Sequence, residues 1–286
     1  MPIVWSGDSA KWLVALGGLN CILIFVWFVH HLRIQRGQAG LLARRWSLVD
    51  LAAAVQFALV ILAGIGIAAA ILLRPVLQDA SEPLGARELA FLAIMTLAQF
   101  GVLAGAAIVL CAGKYQMTWS AFGLDRLNSS RLALGALYGV GALAASAISI
   151  RIFEAIDKGP LGNPFTRDIA SDPSAQAVQE FAARAMDSPI FVLAIVAVVA
   201  GLAPFCEELF FRGLLLRSFS ARMGRGFGIL ISSLIFAAAH GSAVGFVPRF
   251  IMGALFASVT LRTGSLWPAI VAHAANNSVA LFALMQ

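Results

Sequence analysis

Long apolar runs, broken by short charged turns, set the pattern of this chain. The runs cover residues 12–29, 51–73, 89–112, 132–150, 189 to about 216, 227 to about 240, about 245–261 and 266–284. Apolar stretches of roughly 20 residues are the length of a helix across a bilayer. The pattern predicts an all-α polytopic membrane protein of about eight transmembrane helices.

The breaks between runs carry the remaining information. The first run is closed by His30, His31, Arg33 and Arg36, and the two adjacent histidines read as a solvated helix end. Arg74-Pro75 stops the second run. A basic loop over 114–131 contains Phe122-Gly123-Leu124-Asp125. The longest polar segment, 151–188, holds Gly159-Pro160, Asn163-Pro164 and Asp172-Pro173. Within it, Val178, Phe181, Ala182 and Ala185 share one face of a short helix over 174–186, expected to lie on the membrane surface. Gly and Ala crowd the 132–150 run, which predicts close helix packing in lipid. Lys and Arg are more numerous in the loops after the first, third, fifth and seventh runs. The positive-inside rule then places both termini outside the membrane. Arg249, in the first turns of the seventh helix, is expected to snorkel to the interface.

Composition agrees with this picture and removes other classes. Of 286 residues, 60% are hydrophobic and 12% charged, and the mean hydropathy is +0.90. Soluble domains carry roughly 25% charged residues. The formal net charge of +6 has no basic stripe with interleaved aromatics, so no nucleic-acid partner is expected. Cys21, Cys111 and Cys206 lie in or beside apolar runs without CxxC spacing and read as packing residues.

The chemistry sits in the last third. Glu207, Glu208 and Arg212 fall inside an apolar run that begins at Pro189. An ionisable side chain at that depth costs about 2.5–3.5 kcal/mol on insertion scales, so three within six positions call for a role. Glu208 and Arg212 are four apart and predicted to pair on one helix face. Glu207 is turned about 100° away and lacks that partner, which leaves it free to act as a general base. His240 ends the sixth run, and His273 and Asn277 share a face of the eighth. By helix rise, Glu207 lies about 15 Å, His240 about 20 Å, His273 about 12 Å and Asn277 about 18 Å from the cytoplasmic ends of their helices. The four are therefore expected in one slab, lining a cavity that opens to the cytoplasm. Interhelical clamping is the bland use of such residues.

The stretch Glu207-Glu208-x-x-x-Arg212, followed by Phe236-x-x-x-His240 and His273-x-x-x-Asn277, resembles the three motifs of the CPBP intramembrane proteases. That family includes CAAX-prenyl endopeptidases and bacterial Abi proteins. Phe211-Arg212-Gly213 and Gly264-Ser265-Leu266-Trp267-Pro268 add local likeness. The resemblance covers roughly 132–286, implying a protease core of five spans there and three accessory spans over 1–131. It implies Glu207 as the catalytic glutamate and His240 as the histidine that helps activate water. His273 and Asn277 would line an oxyanion site, with Arg212 holding Glu208. It leaves the cofactor open between none and a divalent metal. Glu207, His240 and His273 would be the zinc ligands of a carboxylate-plus-two-His site, and the metal-free mechanism is favoured.

The expected function is endoproteolysis of a membrane-associated or lipidated protein or peptide, in the lipid bilayer of a bacterial cytoplasmic membrane. A non-catalytic immunity or scaffold protein of the same fold is the main alternative. A transporter is the third, disfavoured because no internal repeat is visible.

Overall fold

A computed structural model of the chain describes residues 51–67 in part, 86–114, 117–157, 189–240 and 245–284. The first predicted span, the His30/His31 helix end and the surface helix over 174–186 lie outside the described residues, as does much of the second span. Among the described residues the structure is helical, with no strand. Helices α1 (Ala86–Ile108), α2 (Ser129–Asp157), α4 (Arg225–Ala239), α5 (Phe246–Thr263) and α6 (Trp267–Leu284) follow the predicted runs closely. α1 continues as a π-helical turn over Val109–Lys114.

The fifth run forms one long composite helix, α3. It passes through Pro189–Val196, a π segment Ala197–Leu202, Ala203–Glu208, a second π segment Leu209–Leu215, and Leu216–Met223. Pro204 accounts for the first widening. It has no N–H for the carbonyl four residues back, and its ring crowds that carbonyl. The helix also runs beyond its predicted end near residue 216, taking in Arg217 and Arg222. It stops at Gly224, whose φ of 86° and ψ of 164° need a residue without Cβ. Arg222 lies in the last turn, where a cation suits the negative end of the helix dipole.

Three described segments are long and apolar enough to cross a membrane: Ile94–Gly113, Ser129–Ile152 and Val192–Met223. Arg225–Ala239 is apolar but shorter. α5 and α6 have the length of a span, but Pro248, Arg249 and Arg262, and His273, Asn276 and Asn277, lower their apolar content. The chain is an integral membrane protein.

α6 packs along α2 and also meets α3, while α5 lies between α4 and α2. Gly135 and Gly139 make the α2–α6 approach possible. A Cβ on Gly135 would stand 2.8 Å from both the Pro268 carbonyl oxygen and Val271 Cβ, and one on Gly139 would stand 3.3 Å from Ala272 Cα. The Gly/Ala run thus seats α2 against α6, as small residues in lipid are expected to do. Gly135→Ala should therefore destabilise the protein by about 1–3 kcal/mol through overpacking. Gly141→Ala, with nothing within 4 Å of its Cβ, should leave stability unchanged or raised. Thermal unfolding of the two purified variants checks both.

Candidate active site

The middle of α3 supplies three of the site's side chains. All seven residues of the π segment Leu209–Leu215 are buried, and π turns inside longer helices recur at functional sites. Glu208 closes the α-helical turn before it, and Arg212 lies within it. Arg212 Nη1 donates to Glu208 Oε1 at 2.9 Å, with the two side chains 1% and 0% exposed. The predicted ion pair is present.

Its second partner was not legible. His273 Nδ1 lies 2.8 Å from the same Glu208 Oε1. A carboxylate oxygen only accepts, so Nδ1 is the donor, and this fixes the ring's orientation. Arg212 also donates from Nη2 to the Gly253 carbonyl at 3.1 Å, and its guanidinium stands 4.4 Å from the Phe236 ring centroid. Glu208 is thus the hub joining α3 to α6, while Arg212 ties α3 to α5 and lies over a ring of α4.

Glu207 stands apart from that network. Its Oε2 is buried without a hydrogen-bond partner and lies 3.9 Å from His273 Nε2. That is too far for a direct hydrogen bond. The Glu207 side chain keeps 14% of its surface exposed, against 0% for Glu208. The two adjacent carboxylates differ in their partners. Each has an Oε2 without a hydrogen bond, but Glu208 Oε1 holds both Arg212 and His273, whereas Glu207 is the more exposed and faces the His273 imidazole at a distance.

His240 and His273 contact the same ring. Phe236 meets His240 edge-on at 4.8 Å and His273 at 5.7 Å between centroids, and Phe256 stacks on His273 at 5.4 Å. His240 is exposed and its Nδ1 sits 2.8 Å from the Phe236 carbonyl. Among the described residues no hydrogen bond or ion pair joins His240 to Glu207. Arg249, half-buried in the first turn of α5, is near enough to bear electrostatically on both Glu207 and His240.

Asn277 donates to the Val199 carbonyl at 2.9 Å. It therefore bonds the first π segment of α3, about two turns before Glu207, and retains a second amide hydrogen. The neighbouring Asn276, which the sequence analysis did not single out, is buried and donates to the Ala272 carbonyl at 2.9 Å and that of Gly139 at 3.3 Å. Among the described residues no three His, Cys, Asp or Glu side chains gather as a metal-holding group. Nδ1 of His240 is held at the Phe236 carbonyl and Nδ1 of His273 at Glu208, which leaves Nε2 of each histidine open to another partner.

Residues 189–279 match the family model described as type II CAAX prenyl endopeptidase Rce1-like. The site lies in an Rce1-like segment. The match runs from the start of α3 almost to the end of α6 and takes in Glu207, Glu208, Arg212, His240, His273 and Asn277. At the level of the family it implies a protease working in a lipid environment, consistent with the CPBP resemblance of the three motifs. α1, α2 and the loop between them lie outside the Rce1-like segment. No match was found among curated proteins or among solved structures.

Proposed function

We propose that this protein is an intramembrane endopeptidase in which Glu207 activates water for attack on a peptide bond. The supporting observation is the unpartnered Glu207 Oε2 facing His273 Nε2, beside a second carboxylate already held by Arg212 and His273. A buried acceptor without a protein partner is the natural seat of a water. Glu207 takes the water's proton as the oxygen attacks the carbonyl carbon, and that proton goes on to the leaving amine. His240 assists from its place across Phe236. The remaining amide hydrogen of Asn277 faces the oxyanion that develops, and His273, whose Nδ1–H is given to Glu208, joins it as a donor once Nε2 has taken up a proton. No step in this scheme uses a metal.

The substrate class is a membrane-associated or lipidated protein or peptide, cut towards the cytoplasmic face. A prenylated C-terminal segment is one member of that class, suggested by the family description. A membrane-anchored or secreted peptide is another. The test compares protein N-termini by mass spectrometry in membranes of cells carrying wild type or Glu207→Gln at equal abundance. New N-termini seen only with wild type are the expected result and identify the substrate. Identical profiles from two folded proteins would instead favour a non-catalytic immunity or scaffold role.

A further inference from the structure

The segment joining α1 to α2 lies outside the Rce1-like segment, yet it is bonded to the turn that starts α6. A 3-10 turn, Trp119–Phe122, ends at Gly123 with φ 66°. Ser265 Oγ donates to the Gly123 carbonyl at 2.8 Å, and Trp267 Nε1 donates to that of Leu124 at 2.8 Å. The Leu266 amide donates to the Phe122 carbonyl at 3.3 Å. Three successive carbonyls of the loop thus each hold one of three successive residues of the turn.

The fit is close on both sides. A Cβ on Gly123 would fall 2.2 Å from the Gly264 carbonyl oxygen, so no other residue could sit there without moving the turn. Phe122 is 1% exposed, and its ring lies 3.0 Å from where a Cβ of Gly213 would be. Gly213 directly follows Arg212. One loop therefore touches the start of α6 and the π segment of α3 together.

We propose that the loop at residues 122–124 is a positioning element that sets where α6 presents His273 to Glu207 and Glu208. Ser265 and Trp267 are its contacts on α6. His273 is eight residues beyond Ser265, about 12 Å along the helix, and Ala272 beside it is held against Gly139 of α2. A helix fixed at its first turn and again next to the histidine cannot slide or rotate independently of α3. The inference rests on the proposed proteolysis for its functional consequence, but the placement of His273 can be read without it.

The test uses the full chain in nanodiscs with the double substitution Ser265→Ala/Trp267→Phe, which removes both side-chain donors and keeps the aromatic ring. Two readouts are taken. One is cleavage of the peptide whose new N-terminus depends on Glu207. The other is the imidazole 15N spectrum, tractable because the chain has four histidines and His273→Gln assigns the signal. The expected result is a fall in kcat of about 10–100-fold with KM changed less than about two-fold. The His273 Nδ1 signal should move with it, and Ser265→Thr, which keeps the hydroxyl, should restore much of both. An unmoved His273 signal with an unchanged kcat overturns the proposal, whatever happens to thermal stability. A moved signal in a protein whose wild type cleaves nothing would retain the positioning role and remove the protease reading. If the double variant fails to fold, Ser265→Ala alone carries the same comparison.

Discussion

Glu207→Gln is expected to reduce cleavage by about a thousand-fold or more while the protein accumulates and unfolds like wild type. The reason is the asymmetry between two neighbouring carboxylates. Glu207 makes no hydrogen bond through Oε2 and stands 3.9 Å from His273, so an amide of the same shape breaks no hydrogen bond at that oxygen. It does remove the base. Glu208→Gln should behave oppositely, because Glu208 Oε1 receives both Arg212 and His273. That variant loses stability as well as activity. Thermal unfolding and cleavage, measured side by side on both purified variants, separate the roles. Equal loss of stability in the two would mean that Glu207 is structural after all.

The division between these carboxylates was visible in the sequence because it depends on local helix geometry. Residues four apart share a face and adjacent ones do not, so the spacing alone pairs Glu208 with Arg212. The placement of α4, α5 and α6 was legible for a similar reason, since apolar run length and the flanking glycines mark each helix. What could not be read was whatever depends on packing between distant segments. The bond from His273 to Glu208 spans 65 residues, and the bonds from the α6 turn to the loop span 142 and 143. Nothing in the Phe122-Gly123-Leu124 stretch says which turn it meets. Local geometry failed in one respect too. Pro204 announces a disturbed helix, whereas the second π segment has no proline to announce it. His240 caps the end of α4, where the apolar run ends. Its shared contact with Phe236 places it beside His273, not directly on Glu207.

Arg212→Ala is expected to have the largest effect on folding, a loss of about 3–5 kcal/mol. Glu208 is 0% exposed and Arg212 1%, so truncation leaves a buried carboxylate without its cation. The same change removes the bond to the Gly253 carbonyl and the guanidinium from between Phe236 and Phe256. Membrane yield should fall sharply, and any protein recovered should unfold at lower temperature. Arg212→Lys should not restore it, because one ammonium cannot serve Glu208, Gly253 and the ring faces in the geometry of a planar guanidinium. Arg212→Met/Glu208→Gln gives the sharper test, since it removes the stranded charge together with its partner. Stability should return in large part, as expected when both members of a buried pair are replaced. Activity should not, because the carboxylate that orients His273 is gone. Wild-type yield from Arg212→Ala alone would show that Glu208 does not depend on this cation. The network that sets Glu207 apart would then have to be held by His273 alone.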